Sequence, residues 1–246
     1  MVVSEAVYTP HELMAVCLSR DVVNGETVAC GANSPVPASA LVLAKYLHAP
    51  DNEVIVLGSR TYYPFSGSGI EFFEFANRGG LDLFHVSGGE IDVHGNTNLH
   101  AIGDYEAPDV RLPGAFGTPV LFFVAGRINL FRNEHTRRSL VEQVQFITCP
   151  ADPPEGVRMG RGPNVFVTPM AVFRMDRPRG RFQLESAHPG VTREELIDNT
   201  GWALDLPDEV PVTAPPTAEE LAALRGPVAD DLESTYPGFF ATNVLR

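Results

Sequence analysis

The sequence predicts an α/β fold, an open and mostly parallel sheet flanked by helices, formed as one domain across residues 1–246. Two observations carry this. Short, continuously apolar segments of strand length alternate with segments of helical spacing, the order expected when crossover helices cover both faces of a parallel sheet. In addition, 44% of the 246 residues are hydrophobic and 20% charged, enough apolar side chains for a sizeable core.

The elements follow in order. Thr9-Pro10-His11-Glu12 combines an N-cap, a proline at the first helical position and a capping-box glutamate. The helix it starts is expected to run toward Asn24-Gly25, with a strand at Thr27–Cys30. Pro35 and Pro37 open a second helix, Ala38 to His48, ended by Ala49-Pro50, because a residue before proline disfavours the α region. Val54–Leu57 reads as the next buried strand. A loop at Ser66-Gly67-Ser68-Gly69 and a short aromatic-rich helix precede a strand at Leu81–Val86, which turns at Ser87-Gly88-Gly89. Apolar runs at Val120–Val124, Leu140–Ile147 and Val165–Met175 read as further strands. Thr192-Arg193-Glu194-Glu195 and Thr217-Ala218-Glu219-Glu220 are two more capping boxes, separated by a proline-rich surface linker, Asp205–Pro216.

The net charge of −13 argues against nucleic acid or an anionic membrane as partner, since both attract basic surface. Cys17, Cys30 and Cys149 are odd in number and show no CxxC spacing, which indicates neither a disulfide framework nor a zinc site and fits a reducing cytoplasm. The N-terminus lacks the pattern of a signal peptide, and no apolar stretch reaches the length of a membrane span. Histidines show no HxxxH or HExxH spacing, so no metal is expected. Of them, His48 and His188 precede turns and read as structural, whereas His94 is the one to test first as a base.

The run Gly88-Gly89-Glu90-Ile91-Asp92-Val93-His94-Gly95-Asn96-Thr97-Asn98 holds the densest set of chemistry-bearing residues. A glycine pair after a strand lets backbone amides approach a ligand, while Asp92, Asn96 and Asn98 favour tight turns. This run, then Ile102-Gly103-Asp104-Tyr105 and Leu112-Pro113-Gly114-Ala115-Phe116-Gly117, resembles the β subunits of family I CoA-transferases of the glutaconate type. The likeness extends to Tyr46-Leu47-His48-Ala49-Pro50-Asp51, Glu134–Thr148, Gly162–Thr168, His188–Thr192 and Pro216–Leu221, nearly the whole chain.

The resemblance implies a fold of the CoA-transferase type, a coenzyme A thioester as substrate with no permanently bound cofactor, and a homologous α subunit as partner in a heterodimer or α2β2 heterotetramer. It also implies a β-subunit glutamate, just after the second buried strand, that attacks the thioester. Here that stretch is Val54-Ile55-Val56-Leu57-Gly58-Ser59-Arg60-Thr61. Leu57, Gly58 or Ser59 takes the position, and no acidic residue lies between Glu53 and Glu71. Glu71 is the first substitute carboxylate to consider for a genuine CoA-transferase, and a non-catalytic subunit that completes the partner's pocket is the other alternative.

Relatives that open a steroid ring by hydrolysing a carbon–carbon bond, with a base on the α subunit, offer the chemistry expected when the glutamate is missing. Pocket candidates are Ser59, Gly88, Gly89, Asn96, Asn98, Gly114, Phe116 and Gly117, the last three in a loop whose amides suit an oxyanion. The aromatic set Tyr62, Tyr63, Phe65, Phe72, Phe73 and Phe75 fits core packing first and a pocket for a large apolar acyl group second.

Overall fold

The computed structural model describes residues 7–66 and 69–244, so Gly67 and Ser68 of the predicted loop lie outside the described residues. The chain forms two compact units, Met1–Gly67 with Ala214–Arg246, and Ser68–Thr213. In both, the architecture is α/β, with mostly parallel strands flanked by helices.

The first unit begins with α1 (Pro10–Ser19). Its capping box forms as read: Thr9 Oγ1 accepts from Glu12 N at 3.2 Å, and Glu12 Oε2 accepts from Thr9 N at 2.7 Å. The helix stops at Ser19, well short of Asn24-Gly25, because the backbone tightens into turns, with Asp21 N and Val22 N bonding the Leu18 and Ser19 carbonyls. β1 (Thr27–Cys30) and β2 (Glu53–Val56) pair in parallel, and α2 (Pro35–Leu47) connects them, burying nine consecutive residues from Val36 to Ala44. A helix buried all round cannot show an amphipathic stripe; its limits are read instead from Pro35 at the start and Ala49-Pro50 after the end.

The second unit opens with α3 (Gly69–Phe75) and β3 (Leu83–Val86). β4 (Glu90–Asp92) and β5 (Thr97–Asn98) form a small antiparallel pair around the Asp92–Asn96 turn. β6 (Ala101–Gly103) and β7 (Pro108–Arg111) make a hairpin. The run Val120–Val124, expected as a strand, is instead helix α4 (Thr118–Val124), with Pro119 in its first turn. Five consecutive apolar residues do not distinguish a buried strand from a buried helix turn, and the Gly-Thr-Pro start decides for helix.

β8 (Arg127–Phe131) follows, fully buried. Of the strand expected over Leu140–Ile147, only β9 (Leu140–Val141) forms, beside β4. The rest is loop, because Val144 N and Gln145 N bond to the Asp92 and Glu90 carboxylates instead of to a ladder. The expected strand Val165–Met175 divides into β10 (Pro163–Val167) and β11 (Ala171–Asp176), with Thr168 closing the turn between them by accepting from Ala171 N. β12 (Arg181–Ala187) completes the order β3-β8-β10-β11-β12, parallel from β3 to β10 and antiparallel beyond. α5 (Arg193–Asn199) starts at its predicted capping box.

The chain then returns to the first unit with α6 (Ala218–Ala223), capped as predicted by Thr217 and Glu220, followed by α7 (Ala229–Leu232) and α8 (Pro237–Thr242). Within this unit the buried Glu12 carboxylate receives Arg225 Nε at 2.7 Å.

Candidate functional site

In the first unit the segment of interest is the turn after β2, at the carboxyl end of the strand, where ligands bind in open α/β sheets. Leu57 N donates to Cys30 O at 3.2 Å and Ser59 N to Val56 O at 3.0 Å. Gly58 has φ +85°, a conformation that a side chain would strain. Ser59 is buried, and its Oγ accepts from Thr61 N and Tyr62 N at 3.2 Å each, while Thr235 Oγ1 donates to it at 3.2 Å. Ser59 therefore organises the turn. Of the three positions left open by sequence, Leu57 is half-buried and is not among the residues with positive φ, Gly58 disfavours a side chain by its φ, and Ser59 is buried. Glu53 stands at the opposite end of β2 and is exposed.

In the second unit, Gly88, Gly89, Asn98 and Gly114 come together. Gly89 N donates to Asn98 O at 2.8 Å, and Gly114 N to Leu99 O at 3.0 Å. A Cβ on Gly88 would lie 2.3 Å from the Thr97 methyl, and one on Gly89 2.5 Å from Leu112 Cδ1. Gly88 is also closed in by the Asn98 and Glu90 carbonyls at 3.1 and 3.2 Å, whereas at Gly89 only the Leu112 side chain would have to move. Beneath them lies a buried polar layer that sequence reasoning missed. Glu90 accepts from Asn98 Nδ2 at 2.8 Å, from Gln145 N at 3.0 Å and from Gln145 Nε2 at 2.9 Å. Its signal was an acidic residue inside a strand of otherwise buried positions.

Asp92 accepts from the backbone of His94 and Asn96 at 3.0 and 2.9 Å and from Asn96 Nδ2 at 3.0 Å. Burial holds its carboxyl above the usual range, and these bonds, with one from Val144 N, pull the other way. Asn96 Oδ1 in turn accepts from Ala151 N at 2.8 Å. His94 is exposed and its Nδ1 donates to Gly180 O at 2.8 Å, tying the turn to the β11–β12 hairpin.

Phe116 and Gly117 meet α3. Phe116 has φ +49° and is 88% exposed, with its ring centroid 5.9 Å from that of Phe73. A Cβ on Gly117 would lie 1.8 Å from Phe73 Cζ, so a side chain there would require the Phe73 ring to move. Glu71 is exposed in the first turn of α3. Phe72 is fully buried, which makes it core, whereas Phe73 is half-buried beneath Phe116.

His188 is structural, as read. His188 Nε2 donates to Thr168 O at 2.9 Å and its Nδ1 accepts from Thr213 Oγ1 at 2.9 Å; His135 bonds Thr168 Oγ1 at 2.8 Å and Thr200 Oγ1 at 2.9 Å. Burial lowers both imidazoles to about 4, with His188 adding to the effect on His135. Among the described residues, no group of three or more His, Cys, Asp or Glu side chains is arranged to hold a metal ion, and no helix is long and apolar enough to cross a membrane.

Residues 6–199 match the coenzyme A transferase family. The chain belongs to that family. It is 32% identical over 243 residues to the B-type subunit of the 3-oxoadipate CoA-transferase of Pseudomonas knackmussii, covering 89% of this chain and 92% of the relative, and is therefore a B-type chain of the family. Over 144 residues it is 30% identical to the cholesterol ring-cleaving hydrolase IpdB subunit of Rhodococcus jostii, covering 55% of each. The solved structure of the decarboxylase AibA/AibB superposes with a TM-score of 0.74 at 27% identity, covering 89% of this chain and 94% of that one. The CoA-transferase family thus includes relatives named for transfer, hydrolysis and decarboxylation.

Proposed function

We propose that this chain is the B-type subunit of a heteromer with a homologous A-type subunit, a heterodimer or α2β2 assembly. The heteromer acts on a coenzyme A thioester by hydrolysis, including ring-opening hydrolysis of a carbon–carbon bond, and not by CoA transfer. The observation that carries this is the turn after β2. Covalent transfer needs a carboxylate there to form the acyl anhydride and then the glutamyl thioester. The three positions are Leu57, Gly58 and Ser59, and the only nucleophilic side-chain atom among them, Ser59 Oγ, is occupied by three hydrogen bonds.

In the proposed reaction, a base from the A-type subunit takes a proton from water as its oxygen adds to a carbonyl carbon. The bond to the neighbouring carbon breaks, its electron pair passes to that carbon, and the proton removed from water is returned there. The heteromeric relatives named for hydrolysis and decarboxylation support a family whose members act without transferring CoA. In this reading Gly88, Gly89, Asn96, Asn98 and Gly114–Gly117 are the substrate-binding candidates of the second unit taken by itself. The reading also places the enzyme in the cytoplasm, where coenzyme A thioesters are made and consumed.

A second reading, true CoA transfer through Glu71, is favoured by the 32% identity to a transferase subunit. Borohydride separates the two. The complex is incubated with 3-oxoadipyl-CoA, glutaconyl-CoA and a bulky apolar acyl-CoA, reduced, digested and examined by mass spectrometry. No reduced glutamate, together with water-derived oxygen in the product, is expected; a reduced Glu71 or any other reduced glutamate in this chain would refute the hydrolytic reading.

A further inference from the structure

The last helices of the chain reach the carboxyl ends of both strands of the first unit. Asp231, in α7, accepts hydrogen bonds from two phenols, Tyr62 and, at 3.0 Å, Tyr46. Thr235 donates to Ser59 Oγ. Tyr62 closes the same turn through its carbonyl, which accepts from Val56 N at 2.7 Å. The residue after Thr235, Tyr236, is buried, with its hydroxyl near Cys30 at the end of β1 and the Ser34 backbone.

We propose that Asp231 and Thr235 are positioning residues: from α7 and the turn after it, they set the geometry of the Leu57–Tyr62 segment on which thioester chemistry depends. This rests on the proposed function in placing the reaction at that turn. The physical reason is that the turn lies beyond the ladder and much of it is exposed. Gly58, Arg60 and Thr61 are exposed, and the ladder ends at Val56. The turn is held on one side by backbone bonds to Val56 and Cys30, and on the other by the Ser59 hydroxyl and the Tyr62 ring. Both of those are gripped by α7 and the turn that follows it. A phenol bonded to a carboxylate is a charge-assisted pair, stronger than a neutral hydrogen bond, so Asp231 is the firmer anchor. Tyr46 bonds the same carboxylate from α2, outside the turn, and it supplies an internal control.

The test uses the intact complex with the A-type subunit carrying Tyr62→Phe, Asp231→Asn, Thr235→Val, Thr235→Ser or Tyr46→Phe. Amide exchange over residues 56–62 is measured together with kcat and KM for consumption of whichever of the three thioesters above turns over. Tyr62→Phe, Asp231→Asn and Thr235→Val are expected to speed exchange in the segment and to lower kcat about tenfold, with KM changed less than about twofold. Thr235→Ser restores both, and Tyr46→Phe alters neither. Unchanged exchange overturns the proposal even if no thioester is consumed, and so does faster exchange with unchanged kcat, which would leave only a structural role. Consumption is followed as loss of thioester, so it counts transfer and hydrolysis alike. A trapped glutamyl thioester would therefore sink the hydrolytic reading while leaving the effect of Asp231 and Thr235 on kcat to be judged separately.

Discussion

Acidification should loosen the second unit through His135 and His188. Both imidazoles are held neutral by burial, with pKa values of about 4 against 6.5 for the free side chain. A base whose folded pKa is depressed contributes full stability above its unfolded pKa and loses it as pH falls from about 6.5 toward about 4. At pH ~5 each histidine should cost about 2 kcal/mol, roughly 4 kcal/mol for the pair, since a one-unit shift corresponds to about 1.4 kcal/mol. In a protein of this size that corresponds to a fall in Tm of about 8–16 °C between pH ~7.5 and pH ~5. Burial is the cause for both, with His188 adding to the effect on His135, while the bond from His188 Nε2 to the Thr168 carbonyl pulls the other way. The assay is thermal melting at the two pH values for the native chain, His135→Gln and His188→Gln, with each variant losing about half of the pH-dependent shift. If the variants melt with the same pH dependence as the native chain, the assignment of acid sensitivity to this pair is wrong.

Leu57→Glu should install the missing carboxylate where the backbone tolerates it, since Gly58 needs positive φ and Ser59 is committed to the turn. The cost is about 1 kcal/mol of lost apolar burial. In the complex, incubation with 3-oxoadipyl-CoA and borohydride is expected to yield a reduced side chain at this position, and no adduct after a full time course would contradict the placement. Arg225→Met strands the Glu12 carboxylate, whose side chain is 0% exposed against 27% for the arginine. Stability is expected to drop by about 3 kcal/mol, largely recovered in the double variant with Glu12→Gln, as chemical denaturation will show. Asn98→Asp sets an oxygen in place of the Nδ2 that lies 2.8 Å from Glu90 Oε2. Melting should then be depressed at neutral pH and partly restored near pH ~5, where one carboxyl takes up a proton, opposite to the native trend.

Local chemistry was legible in the sequence wherever it acts over a few residues. The three capping boxes at Thr9, Thr192 and Thr217 form as read, because side-chain and backbone donors within one helical turn need no distant partner. The family was legible too, since its motifs lie in order along the chain. Only tertiary structure decided that Val120–Val124 is a helix and that residues 142–147 leave the sheet for the Glu90 and Asp92 carboxylates.

The same holds for the turn after β2. That the chain lacks an acidic residue after β2 is a fact of sequence alone. That the Ser59 hydroxyl is tied into the turn is not, because it depends on Gly58 adopting φ +85° and on Thr235, 176 residues away along the chain, reaching the Ser59 oxygen. A hydrogen bond between residues so distant in sequence leaves no local pattern; it exists only once the C-terminal helices have packed beside β1 and β2.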